Sequence, residues 1–100
     1  MLIVTGTIVM EPGDVRAIEA AAVLMMEETR KEAGCITYEF SEVIGQPGVM
    51  RIYEEWESGP HLEAHFDAPH MGPWRDAMKS ATVHSRSLHR YDDIGAISAL

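Results

Sequence analysis

The stretch CITYEFSEVIGQPGVMRIYEEWE, residues 35–57, constrains the fold more than any other part of the chain. Ile36, Tyr38 and Phe40 alternate with Thr37, Glu39 and Ser41, the period-2 pattern of a β-strand. GQPG supplies a turn, and VMRIYEEWE reads as a second strand, so the segment is a hairpin. Residues 2–10 are apolar and β-branched and read as a strand preceding it, and TVHSRSLHRYDDI reads as one following it.

Between the first strand and the hairpin, Asp14 stands where a helix cap belongs. Ile18, Ala22, Met25, Met26 and Ala33 then recur at three- and four-residue spacing, with Thr29 on the same side. This predicts an amphipathic helix of about five turns, closed by Gly34. After the hairpin, Ser58 is placed as an N-cap with Pro60 in the first turn, predicting a short helix to about Asp67. APHMGP interrupts it, and a second helical piece is expected from about Pro73 to Ala81. The apolar tail GAISAL is expected to dock as a short strand.

The resulting order is β-α-β-β-α-β. The fold class expected is α+β: a ferredoxin-like sandwich with a four-stranded antiparallel sheet and helices on one face. Residues 1–100 are expected to form one domain. The uncovered sheet face would carry Tyr53 or Trp56, depending on register, and is a candidate for packing against a second copy.

Composition narrows the function. The formal net charge is −8, with eight Lys and Arg against sixteen Asp and Glu. No basic cluster exists to displace counterions from nucleic acid or to meet an anionic membrane, so neither partner is expected. Cys35 is the sole cysteine, which excludes an intramolecular disulfide and reads as a small buried apolar residue. MLIVTGTIVM lacks the basic flank of a secretory signal, and a cytoplasmic location is expected.

Chemistry-bearing residues concentrate in EEWESGPHLEAHFDAPHM, residues 54–71, with three histidines. On a helical wheel Leu62 and Phe66 define the buried side, His65 lies about 80° from its centre at the boundary, and His61 lies about 120° off, largely in water. His61 and His65 have the i, i+4 spacing of a helical metal site, but no third ligand is visible at a matching spacing, and none is expected to bind metal. Met71, Trp74, Met78 and Ala81 share a face with His70 at its edge. Trp56, Trp74 and Phe66 with the boundary histidines form either an ordinary core or an apolar small-molecule pocket.

GCITYEF, RIYEEWES and LEAHFDAPHM together resemble the antibiotic-biosynthesis monooxygenase family, and the resemblance covers essentially the whole chain. It implies ferredoxin-like subunits that pair, sheet against sheet, into a dimeric α+β barrel with a pocket in each subunit. It implies O₂ chemistry on a small aromatic, quinol-like or polyketide-like compound with no metal or flavin cofactor. The haem-degrading branch uses an asparagine in the first strand and a haem-ligating histidine in the last helix. This sequence contains no asparagine, and those places correspond to Gly6 and to Trp74 or Arg75, so haem degradation is not expected.

The sequence reading assigns His65 as the catalytic base, with Trp56, Phe66, His70, Met71, Trp74 and Arg86 contacting substrate. Arg86 and His84 lie either on a solvated strand face or where they could stabilise an oxyanion. Two other readings use the same residues: an isomerase or tautomerase of a small carbonyl compound, and a non-catalytic ligand-binding dimer.

Overall fold

The computed structural model describes residues 1–100. Its elements are β1 (Leu2–Met10), α1 (Asp14–Ala17), α2 (Glu19–Thr29), β2 (Cys35–Glu42), β3 (Val49–Trp56), α3 (Gly59–Phe66), α4 (Met71–Ser80) and β4 (Val83–Tyr91). The strands form one antiparallel sheet in the order β2-β3-β1-β4, the ferredoxin-like arrangement. No helix is long and apolar enough to cross a membrane.

Register decides which residues face the helices. Leu2 pairs with Trp56, Ile8 with Met50, and Phe40 with Ile52. These side chains share one face, and Ile18, Ala22, Met25, Leu62, Trp74 and Met78 close over it from the helices. The other face carries Ile3, Thr5, Thr7, Val9 and Tyr53 with no helix across it. Tyr53 is therefore the open-face aromatic, and Trp56 is sealed in the core at 0% exposure.

Several local expectations change. The five-turn helix is two helices, broken where Ile18 leaves helical geometry at φ −99°, ψ 7°. Ile18, Ala22, Met25 and Thr29 are still buried as the spacing predicts, but α2 ends at Thr29 and Ala33 is exposed. Asp14 does not cap α1; its carboxylate instead accepts from the Thr82 amide at 2.8 Å, tying the helix start to the entry of β4. Ile36 is half exposed because the β2–β3 register shifts between Cys35 and Thr37, breaking its alternation with Tyr38 and Phe40. The tail GAISAL forms no strand; the residue before it, Ile94, donates its amide to the Met1 carbonyl at 3.0 Å. Ser58 does cap α3, accepting from the His61 amide, with Pro60 in the first turn.

The early end of α2 sets where Glu32 points. Residues 30–34 become a turn, held by Glu32 N–H to Thr29 C=O at 2.9 Å and Cys35 N–H to Glu32 C=O at 3.3 Å. Gly34 permits it at φ +80°, a left-handed conformation that other residues adopt at a cost. Space demands glycine too, since a Cβ there would lie 2.2 Å from the His61 ring. The turn thus lies directly against α3, and Glu32 is directed at that helix.

Candidate active site

His65 is the centre of the site. The wheel places it at a boundary, with Phe66 buried; the structure reverses the two. His65 is 2% exposed and Phe66 48%, because α3 packs against the α2–β2 turn as well as the sheet, so its covered side extends past Leu62 towards His65. The ring is enclosed by Trp56 at 5.0 Å between centroids and by Tyr38 at 5.3 Å in an edge-on arrangement.

Two hydrogen bonds define the chemistry behind the ring. His65 Nδ1 lies 2.7 Å from Glu32 Oε2, and His70 Nε2 lies 2.8 Å from the same oxygen. Thr29 Oγ1 is 3.2 Å from His70 Nε2. An ionised carboxylate only accepts, so the nitrogens facing it carry the protons when the rings are neutral. For His65 that leaves Nε2 as the unprotonated nitrogen. No buried side-chain nitrogen or oxygen lacks a partner, and His65 makes no hydrogen bond other than that at Nδ1, so Nε2 retains an opening rather than being sealed. Burial lowers the His65 pKa from 6.5, with Glu32 partly opposing the shift and His70 reinforcing it. Desolvation thus keeps the ring neutral and able to accept a proton.

The ring borders a cavity of about 660 Å³ between the sheet and helices α3 and α4. Its apolar wall includes Ile8, Phe40, Ile52, Met71, Met78 and Leu88, with Trp74 stacked on Phe40 at 4.9 Å. Three of the chain's eight Lys and Arg residues border it as well: Arg75, Lys79 and Arg86. Arg75 donates to the Phe66 carbonyl at 3.1 Å.

Glu54 is the polar group that sequence reasoning overlooked in the wall itself. It is 7% exposed, and its Oε1 accepts from Trp56 Nε1 at 2.9 Å. Burial raises its pKa to about 7, against the lowering effect of the indole N–H and with a further upward push from Glu32. Tyr38, opposite Glu54 in the sheet, is raised well above the usual phenol range by burial and by Glu54 and Glu32, and stays a neutral donor. Burial also pushes the half-buried Cys35 thiol up to about 11, away from thiolate chemistry.

Of the residues singled out from sequence, His65, Phe66, Met71, Trp74 and Arg86 border the cavity. Trp56 lies behind the wall, touching it through Glu54 and His65. His70 also lies behind it, on Glu32. His61 turns away, with Nδ1 2.7 Å from Ser58 Oγ and its ring over Gly34; it is half-buried, not largely in water as the wheel places it. His84 pairs at the surface with Glu11 at 3.1 Å. Glu32 was not legible as a partner of the histidines, since it is more than thirty residues away and reaches them only through the early end of α2.

The model of the antibiotic biosynthesis monooxygenase family matches residues 1–77. The chain belongs to this family. A candidate antibiotic biosynthesis monooxygenase from Deinococcus radiodurans, solved by crystallography, superposes with a TM-score of 0.87 at 28% identity, covering 100% of this chain and 99% of the other. A Mycobacterium tuberculosis protein shares the fold at 20% identity and TM-score 0.79, over 97% and 98% of the two chains. A candidate family member from Nitrosomonas europaea does so at 17% and 0.84, over 95% and 100%. An uncharacterized Synechocystis protein is 29% identical over 69 residues, which are 69% of this chain and 47% of that protein. The chain thus matches about half the length of that curated relative.

Proposed function

We propose that this family member is an oxygenase that uses no resident cofactor and acts on a small aromatic, quinol-like or polyketide-like compound. The observation that carries the reading is the Glu32–His65 pair at 2.7 Å, with the far side of the imidazole on an apolar cavity large enough for a two- or three-ring substrate. His65 Nε2 takes a proton from an acidic phenol or enol, leaving an electron-rich anion. O₂ adds to the anion at carbon, and the proton held on His65 Nε2 returns to the peroxide oxygen to give a hydroperoxide. Loss of water from it leaves a carbonyl, so one oxygen atom enters the product and the other leaves as water. Phe40 and Trp74, stacked on each other, give the cavity an aromatic wall for the rings, and the Arg86 guanidinium in its lining would favour the anion.

Oxygen uptake with a panel of anthrones, dihydroxynaphthalenes and quinols tests this. Consumption above the autoxidation rate, with one oxygen atom from ¹⁸O₂ in the product, is expected; uptake at the background rate across the panel sinks the reading. Glu54 favours a second use of the same site. A carboxyl that burial pushes up to about 7, lining the same cavity as a histidine base, offers an acid and a base for isomerising a small carbonyl compound. Solvent-deuterium incorporation without O₂ uptake marks that outcome.

The open sheet face with Ile3, Val9 and Tyr53 supports pairing of two copies sheet to sheet. Light scattering at micromolar concentration is expected to give about twice the 11.1 kDa chain mass; a monomer at that concentration removes the pairing.

A further inference from the structure

We propose that Glu32, His65 and His70 form a site for one divalent transition-metal ion of the zinc class, and that its occupation switches off the base at His65. The second half rests on the reading of His65 as a base; the first half does not.

The donor set is two imidazoles and one carboxylate, the borderline nitrogen and oxygen ligands that zinc, cobalt and nickel prefer. Their ligand atoms all lie within 4.8 Å of one another. Both nitrogens already converge on a single carboxylate oxygen, at 2.7 and 2.8 Å. Zinc bonds of about 2.0–2.2 Å place tetrahedral donors about 3.3–3.5 Å apart, so opening the cluster by roughly half an ångström admits the ion. The three ligands come from the α2–β2 turn, the last turn of α3 and the residue preceding α4, so the ion would pin those segments together. Solvent supplies a fourth ligand.

The position fixes what the ion does. The cavity wall contains His65 but neither Glu32 nor His70. The ion therefore sits behind the imidazole, out of reach of a substrate in the cavity. Its effect is on the tautomer. With Glu32 alone as partner, Nδ1 carries the proton and Nε2 is the free base. A metal needs the Nδ1 lone pair, so the proton moves to Nε2, and the atom facing the cavity becomes a donor. One ion thus exchanges an acceptor for a donor at the point where the substrate proton must land.

Competition between the untagged metal-free protein and a chromophoric zinc chelator measures the first half. One zinc per chain is expected, with affinity reduced 10-fold or more in Glu32→Gln and in His70→Gln, and unchanged in His61→Ala and His84→Ala. Circular dichroism checks that each variant is folded. Histidine ¹⁵N spectra of the wild-type protein give an independent answer that needs no variant: zinc should shift His65 and His70 and leave His61, His84 and His89 in place. No stoichiometric zinc, or zinc that shifts the other three histidines instead, overturns the site. Zinc that binds at His65 and His70 without moving the proton to Nε2 overturns the switch and leaves the base reading standing.

Discussion

His65→Ala is expected to lower turnover of an oxidisable quinol or anthrone by on the order of 10²- to 10⁴-fold, the range of a lost general base. KM should change much less, since a base acts on the proton in flight rather than on the bound rings. Alanine also opens a hole beside Trp56 and Tyr38, so His65→Gln is the better control for packing: it can still donate to Glu32 but offers the cavity no basic nitrogen. Both variants should lose activity together. His61→Ala should retain wild-type turnover, because its ring rests on Gly34 and Ser58 and does not border the cavity. Equal losses from His61 and His65 would refute the assignment, and so would full activity of His65→Gln.

The contrast between these two histidines shows how far the sequence could be read. The hairpin strands were legible because period-2 alternation and turn residues are local, and β1 because its residues are apolar and β-branched. The buried face of α2 was legible at Ala22, Met25 and Thr29, and the burial of Ile18 just before it, from their three- and four-residue spacing. His65 was found, but as a boundary residue, because a wheel built on α3 alone counts only one packing partner. The helix has two, the sheet and the α2–β2 turn. Glu32 was not found because nothing in KEAGC marks where the helix stops; glycine at 34 suggested an end five residues later than the one observed. That difference brings the carboxylate round onto His65 and His70. Glu54 was missed because in EEW the strand period places one glutamate inward and one outward, and which is which depends on the register with β1. Val4 opposite Glu54 settles it.

Glu54→Gln is expected to stabilise the protein above pH 7 and to do little below pH 5. Burial lifts the carboxyl from 4.5 to about 7 in the folded state. Between those values the folded chain holds a proton that the unfolded chain has released, so stability falls as pH rises through the window. At about 1.4 kcal/mol per pH unit, the ionised group costs on the order of 3 kcal/mol by pH 8. Glutamine keeps an oxygen to accept from Trp56 Nε1 and matches the protonated acid in shape, so below pH 5 the two proteins should melt together. Above pH 7 the variant should melt higher by on the order of 10 °C, at matched protein concentration. His65 contributes with the opposite sign: its pKa is lowered from 6.5, the unfolded chain holds the extra proton, and stability rises with pH towards 6.5. That contribution is common to both proteins and cancels in their difference. A difference that does not grow between pH 5 and 8 would mean Glu54 ionises at its ordinary pH and the wall is wetter than its 7% exposure implies. The same variant also answers for function. A chain that keeps a carboxyl at a cost of several kcal/mol, where glutamine would fit, retains it for proton transfer or for nothing. Higher stability with lower turnover or slower solvent-proton exchange assigns Glu54 to the chemistry; higher stability with unchanged rates removes it.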